Sequence, residues 1–510
     1  MKRWEKVAWW LLGLAAVVSR FLFLGERVPH HDEAVHAHLA RELLLLGKYQ
    51  YDPTYHGPLQ FYVMAPLMAV FGQNDFVVRI WAAVCGVGLV LAPALLRKRV
   101  GGSGALGMGV LMLFSPTLTY YSRFAREDAP VIFFTFAAAA LLLAGQRHRR
   151  YALFPVAVLA ALHLASKETF YVYLVVLAVA WCATWIRRPS YAWTTLQPWL
   201  KQNQTNLLAA FFLFLAVTLT LYTFFFRHPE DILFPVKAVV YWWGQHAQER
   251  VAGPAWYYLP RLALYEFAIL GLAAGFYWQR RRRISATWRF FFFWGLVSLA
   301  MYAYLGEKVP WLALHQILPF LPPAGIALGR LVSRGAWRAR MGVLVLFAAT
   351  AWNTVQACFV NSAIEPSTGK AELLVYVQTV PSFKAIIEEG KQLAAQSGDE
   401  LAIAVAGEAG WPLAWSWANI PVWWDTPKEG QNIRLFLCDP GREQEIVNTL
   451  GKGFGCGEIP LRAWWAEEGP FTLRGVTTWF FTRQAWSPVG FQSVTVCRIL
   501  PEPPAGSSAP

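Results

Sequence analysis

Pro58-Leu59-Gln60-Phe61-Tyr62-Val63-Met64-Ala65-Pro66-Leu67-Met68-Ala69-Val70-Phe71 is the stretch on which the topology turns. A spanning helix needs roughly 20 apolar residues at about 1.5 Å each. This run is shorter and carries Pro58, Gln60 and Pro66. If it crosses a bilayer, every later loop changes side.

Around it lie eleven longer apolar runs, at about 7–24, 76–96, 103–121, 129–146, 151–165, 169–186, 206–226, 258–278, 287–305, 311–329 and 341–359. With 510 residues, 56% hydrophobic, 16% aromatic and only 15% charged, the chain reads as a multi-span membrane protein. The first run follows Lys2, Arg3 and Lys6 as a signal peptide would, but it lacks a small-residue cleavage site and leads directly into a charged loop, so it reads as a retained first span.

Charge settles the expected topology. If Pro58–Phe71 does not cross, the loops on the amino-terminal side hold Lys2, Arg3, Lys6; Arg97, Lys98, Arg99; Arg147, Arg149, Arg150; Arg187, Arg188, Lys201; Arg280 to Arg283, Arg289; and Arg330, Arg334, Arg338, Arg340. That is 21 basic residues against one acid, Glu5, and the positive-inside rule makes that side cytoplasmic. Pro58–Phe71 is therefore expected to lie along the outer interface as a juxtamembrane helix. The net charge of +14 is then a topology signal, and it implies no nucleic-acid partner.

The expected architecture is an α-helical polytopic membrane protein with about eleven transmembrane helices plus outer juxtamembrane helices, residues 1–360. A soluble extracytoplasmic α/β domain follows over residues 361–500. In it Glu372 to Ala395 and Glu443 to Leu450 read as helices, and Leu401 to Ala406 and Ile433 to Cys438 as buried strands. Residues 501–510 are Pro-, Ser- and Gly-rich and read as a disordered tail. No internal repeat supports an inverted-repeat transporter. The expected location is the plasma or inner membrane, multi-pass, with the N-terminus cytoplasmic.

With the sides assigned, the unusual polar residues gather at outer ends of spans: His30 to His38 (HHDEAVHAH), Tyr55-His56-Gly57-Pro58, Ser122 to Asp128 (SRFARED), Ser166-Lys167-Glu168, and Gly306-Glu307-Lys308 with His315. Ionisable groups beside hydrocarbon are costly unless paired or hydrated, so their gathering points to a functional site. Transfer of a group from a lipid-linked phosphate fits them. Asp32 can take the proton of an attacking hydroxyl, and Arg123, Arg126, Lys167 or Lys308 can neutralise a departing phosphate.

Structural readings stand beside these. Asp32 and Glu33 sit where acids cap a helix N-terminus, and Arg126-Glu127-Asp128 and Lys167-Glu168 are also the makings of interfacial ion pairs. His31, His36 and His38 are metal-ligand candidates, but His36 and His38 are two apart and face different sides of a helix. His56 and His315 suit either ligation or sugar hydroxyls. Glu266 is an intramembrane acid that either pairs with Arg261 or lines a cavity. Trp411, Trp415, Trp417, Trp423 and Trp424 suit sugar stacking or packing. The six cysteines have no metal spacing; Cys438, Cys456 and Cys497 leave more than one disulfide open.

The runs HHDEAVHAH, YDPTYHGPLQFY, YYSRFAREDAP, ASKETFYVY and GEKVPWLALHQILPF resemble the polytopic glycosyltransferases that use polyprenyl-phosphate sugars, the GT-C superfamily of protein mannosyltransferases and lipid A aminoarabinose transferases. Within it they most resemble a bacterial and archaeal branch labelled flippase-associated. The resemblance covers about Arg20 to Pro323. It implies that Asp32 of the Asp32-Glu33 pair is the base, that Arg126-Glu127-Asp128 lies near the donor, and that the first outer loop carries juxtamembrane helices.

The implied reaction is inverting transfer from a polyprenyl-phosphate-linked sugar to a hydroxyl acceptor on protein, lipid or polysaccharide. Catalysis is expected from Asp32, and substrate binding from Glu33, His31, His56, Arg123, Arg126, Asp128, Lys167, Glu168, Lys308 and His315. No cofactor is firmly implied; the histidines beside the Asp-Glu pair depart from the pattern and leave a divalent metal open. The alternative is a non-catalytic flippase, or flippase accessory protein, for lipid-linked glycans.

Overall fold

Leu59–Phe71 is a 13-residue helix. At about 1.5 Å per residue it is about 20 Å long, short of the roughly 30 Å hydrocarbon core. Gly72, with φ of 87°, ends it, and the Asn74 side chain accepts the Val77 N–H (3.1 Å) to cap the next helix, Asp75–Leu91. The computed structural model describes residues 2–144, 149–247, 253–451, 453–466 and 471–500. Arg147 and the expected disordered tail, 501–510, lie outside the described residues.

The chain divides into two units, residues 1–25 with 40–360, and residues 26–39 with 361–510. The first is helical. Among the described residues four helical segments are long and apolar enough to cross a membrane: Asp75–Val100, Pro189–Tyr222, Pro310–Arg334 and Trp337–Val360. A bent pair, Tyr258–Tyr265 with Phe267–Arg280, makes a fifth if it counts as one span.

Several of the expected spans are divided or displaced. The run at 103–121 breaks at Ser115, whose hydroxyl caps Pro116–Tyr121 by accepting the Leu118 N–H (3.1 Å), with Pro116 in the first turn. The run at 258–278 bends by 90° at Glu266. That carboxylate accepts from Ser115 Oγ (2.7 Å) and the Thr117 N–H (3.0 Å), so one buried acid ties both breaks together. Arg261 instead donates to the Tyr257 carbonyl (2.6 Å) and lies over its ring. The span expected at 206–226 is part of a 34-residue helix, Pro189–Tyr222, so Lys201 sits within a helix and not on a loop; Phe224 to Phe226 then take positive φ.

Close packing in this unit uses small residues. A Cβ on Gly107 would fall 2.5 Å from the Gly325 carbonyl oxygen, which lets Gly102–Phe114 lie backbone to backbone against Leu321–Arg334.

The second unit is built on a five-stranded sheet: β1 (Gln378–Thr379), β2 (Ile403–Val405), β3 (Leu435–Cys438), β4 (Phe454–Trp464) and β5 (Gly490–Ile499), in the order β1-β4-β5-β3-β2. Among these five strands β2 and β3 pair in parallel and the other neighbours antiparallel. Ile433, Phe436, Ile446 and Leu450 form the core between the sheet and the helix Glu443–Leu450. Cys456 and Cys497, opposite each other on β4 and β5, form the disulfide, leaving Cys438 a buried thiol.

The helix expected over Glu372–Ala395 is confined to Lys384–Ser397. Val377 has φ of 49° and Pro381 opens a 3₁₀ turn, while buried Glu372 pairs with Arg483 at 3.3 Å. The loop after the first helix joins this unit: Gln378 Nε2 donates to the Val28 carbonyl (2.8 Å) and Thr379 Oγ1 to the Pro29 carbonyl (2.6 Å).

Candidate active site

In the helical unit the site begins with a strained turn. Asp52 accepts the Thr54 N–H (2.8 Å) and caps a 3₁₀ turn, Pro53–Tyr55, which His56 closes with φ of 64°. A non-glycine residue held there costs about 1–3 kcal/mol and persists where its surroundings impose it. Gly57 imposes it: its N–H donates to the Ser166 carbonyl (3.1 Å), and a Cβ would fall 2.2 Å from the Ala165 carbonyl oxygen. The Leu59 N–H adds a bond to the Ala165 carbonyl at 2.9 Å. The two loops are thereby joined by backbone.

The joint sets His56 against Glu168. His56 Nδ1 is 2.8 Å from Glu168 Oε2, and Tyr51 Oη donates to Glu168 Oε1 at 3.3 Å. The imidazole stacks on Trp242, with centroids 4.9 Å apart and planes 8° apart. Burial pushes the His56 cation towards deprotonation, but the Glu168 carboxylate outweighs it, so His56 titrates above the ordinary histidine value.

Beside this pair lies a second buried cluster. Lys167 Nζ donates to Asp128 Oδ1 (2.8 Å) and Oδ2 (2.9 Å). His315 Nε2 is 3.2 Å from Asp128 Oδ1, and Arg126 Nε is 3.7 Å from Asp128 Oδ2. An ionised carboxylate only accepts, so His315 donates through Nε2; its Nδ1 then accepts from Tyr173 Oη at 3.1 Å. Arg126 lies 4.2 Å over the Trp311 ring and reaches His56 Nε2 with Nη2 at 3.5 Å. Gln60 holds the loop by donating to the Ala125 carbonyl (2.9 Å). His56, Arg126, Asp128, Lys167, Glu168 and His315 are all buried.

Two expected phosphate ligands are engaged with backbone elsewhere in this unit. Arg123 donates to the carbonyls of Ser19 (3.1 Å), Arg20 (3.2 Å) and Phe23 (3.3 Å) at the end of the first helix. Lys308 donates to the carbonyls of Tyr302 and Ala303 (2.9 Å each) and Leu305, at the end of Ala286–Tyr304. Both bind the unsatisfied carbonyls of a helix C-terminus.

In the other unit the Asp32-Glu33 pair divides. Glu33 is buried; its Oε2 accepts the His30 N–H (3.0 Å) and its Oε1 is 3.4 Å from Arg27 Nη2. This is the reach-back bond that caps a helix N-terminus, here that of His31–Leu46. The Asp32 side chain is 30% exposed. The Asp32 N–H donates to His30 Nδ1 (2.9 Å), so His30 Nε2 carries the proton given to the Tyr376 carbonyl (2.9 Å), and the ring beside Asp32 is neutral.

His31 and His38 lie edge-on to Trp411, at 6.3 and 5.5 Å, and His36 is buried. Among the described residues no group of three or more His, Cys, Asp or Glu side chains gathers as metal ligands. Trp415 and Trp417 pack in the core, Trp417 donating to the Ile387 carbonyl (2.9 Å); Trp424 is exposed.

Tyr51, Tyr173, Trp242 and Trp311 are site neighbours that sequence reasoning passed over. Trp311 stood within the quoted run GEKVPWLALHQILPF, next to the basic residues it serves, but nothing distinguished it from the chain's other 25 tryptophans.

Residues 55–222, which include His56, Arg126, Asp128, Lys167 and Glu168, match the family model described as dolichyl-phosphate-mannose-protein mannosyltransferase. The matched region covers about a third of the chain, and in that region and in its fold the chain is similar to the GT-C membrane glycosyltransferases that use polyprenyl-phosphate sugars. Among solved structures the chain is similar to ArnT from Cupriavidus metallidurans bound to undecaprenyl phosphate, with a TM-score of 0.61 and 15% identity over 98% of this chain and 99% of that one.

It is also similar to the Archaeoglobus fulgidus oligosaccharyltransferase in complex with Zn and sulfate (TM-score 0.53, 12% identity, 87% of this chain, 70% of that one). The same archaeal enzyme in complex with an inhibitory peptide and a dolichol-phosphate matches at a TM-score of 0.52 and 11% identity over the same shares. At these identities the likeness is one of fold. No curated protein sequence matches.

Proposed function

We propose that the protein transfers a sugar from a polyprenyl phosphate to a hydroxyl acceptor at the outer face of the membrane, with inversion and with Asp32 as base. The observation that carries this reading is the convergence of Arg126, Lys167 and His56, from separate segments, in one buried place inside the region that matches the mannosyltransferase family model. Isolated cations in such surroundings are expensive, and Asp128 and Glu168 compensate them until a phosphate arrives. ArnT and the archaeal enzyme were solved with undecaprenyl phosphate and a dolichol-phosphate, which supports a lipid phosphate as the ligand here.

In the reaction the acceptor oxygen forms its bond to the anomeric carbon while its proton passes to the Asp32 carboxylate. The bond from that carbon to the phosphate oxygen breaks, and the electron pair stays with the phosphate, which Arg126 and Lys167 stabilise. Asp32 suits this role because it is accessible while Glu33 is committed to capping.

Sidedness rests on the basic loops: the one acid among them, Glu5, is paired with Arg97 (2.6 Å) at the same end of the bundle. The Cys456–Cys497 disulfide supports an oxidising compartment for the sheet unit.

The test is reconstitution with a polyprenyl-phosphate sugar and mass spectrometry of the lipid product. Wild type is expected to release polyprenyl phosphate, and Asp32→Asn to bind undecaprenyl phosphate but release none. An active Asp32→Asn variant removes Asp32 as base. Binding without release by wild type leaves a carrier of lipid-linked glycans.

A further inference from the structure

The His56–Glu168 pair is more than a neutralised charge. A carboxylate bonded to Nδ1 orients an imidazole and stabilises its cation, leaving Nε2 as the atom that gives and takes a proton. Here Nε2 faces a guanidinium, with Arg126 Nη2 at 3.5 Å. When His56 is neutral, Nε2 accepts from Arg126 at the long limit of a hydrogen bond. When it is protonated, two N–H donors face each other, and an anionic oxygen received between them satisfies both.

We propose that His56, oriented by Glu168, is the proton donor to the leaving phosphate, which Nε2 of His56 and Nη2 of Arg126 receive together. The inference rests on the reading of this site as one that takes a polyprenyl phosphate. As the bond from anomeric carbon to phosphate oxygen breaks, the His56 Nε2 proton passes to the phosphate, which departs as the monoanion. The acceptor's proton goes to Asp32. Asp32 then loses a proton to water and His56 regains one, so the sum is a phosphodiester monoanion and an alcohol giving a glycoside and a phosphate monoester monoanion.

The charged groups facing the ring are Glu168 and Lys167 from one loop and Arg126 and Glu127 from another; Trp242 on the helix Phe234–Ala247 covers its face without charge. The two carboxylates favour the cation and the two bases oppose it. A phosphate adds negative charge and tips this balance, so its binding draws a proton onto His56. The strained φ of His56 and the glycine that permits it are consistent with a ring placed for chemistry.

The test uses the full chain in lipid nanodiscs with undecaprenyl phosphate as the probe, titrated calorimetrically between pH 6 and 9 in buffers of different ionisation enthalpy. Wild type is expected to take up about one more proton per lipid than His56→Gln, with its affinity falling up to about tenfold per pH unit more steeply than the variant's on the alkaline side. Glu168→Gln keeps the ring and is expected to move the midpoint to lower pH.

Equal proton uptake by wild type and His56→Gln, the phosphate's own ionisation accounting for all of it, overturns the proposal and leaves the lipid-phosphate reading intact. If His56→Gln does not fold, an unchanged midpoint in Glu168→Gln overturns it. Failure of wild type to bind undecaprenyl phosphate at any pH removes the underlying reading and this one with it.

Discussion

Lys167 Nζ lies 2.8 and 2.9 Å from the two carboxylate oxygens of Asp128, and both side chains are buried. Removing Lys167 leaves the buried Asp128 carboxylate only His315 at 3.2 Å and Arg126 at 3.7 Å, which replace its ammonium partner in part. Lys167→Met is therefore expected to cost about 3–5 kcal/mol. The Lys167→Met/Asp128→Asn double variant should recover part of that loss, because no net charge is left behind. Thermal unfolding in detergent checks both, and neither variant should bind undecaprenyl phosphate as wild type does.

Gly57→Ala puts a methyl group 2.2 Å from a backbone oxygen that cannot rotate away. The loop must lift off Ala165 and Ser166, separating His56 from Glu168. Lower thermal stability together with weaker lipid-phosphate binding is expected; a fully active variant would show that the joint between the loops is dispensable.

Asp32 and Glu33 should part company under mutation. Glu33→Gln weakens a buried bond to a backbone N–H and removes a charge from beside Arg27, which costs about 1–3 kcal/mol. It is expected to lower the melting temperature while transfer remains measurable. Asp32→Asn should do the opposite, and comparing melting temperature with lipid release for the two variants separates capping from catalysis.

Cys456→Ser with Cys497→Ser removes a cross-strand link between β4 and β5 that closes 41 residues of chain. A loss of about 2–4 kcal/mol from the sheet unit is expected. Proteolysis of intact membranes with and without reductant reads it: faster cleavage of the variant, matched by reduced wild type, is the expected outcome.

The parts of this fold that were legible in the sequence are those whose stability is local. Glu443–Leu450 was read at its observed bounds, and the runs around Ile403–Val405 and Leu435–Cys438 were read as buried strands. The long pair β4 and β5 was not, because FGCGEIPLRAW carries Gly, Pro and Glu where alternation would have to show. The breaks at Ser115 and Glu266 were hidden for a different reason. They lie inside apolar runs and are satisfied by each other across 151 positions, a partnership no window along the chain contains.

At the candidate site the charged members stood out because charge beside hydrocarbon is costly. Their roles did not. Arg123 and Lys308 look like Arg126 and Lys167 in sequence, yet they bind helix-end carbonyls. Tyr51, Trp242 and Trp311 vanish among aromatic residues that make up 16% of the chain.

The segment Glu26–Leu39 packs with residues far down the chain, through Gln378, Thr379 and the Tyr376 carbonyl, and its nearest sequence neighbours belong to the other unit. Asp32 is thus moored to the sheet although it lies in the first turn of the helix His31–Leu46. A shortened protein ending at the last apolar helix would keep Arg126, Lys167 and His56 but leave this carboxylate adrift.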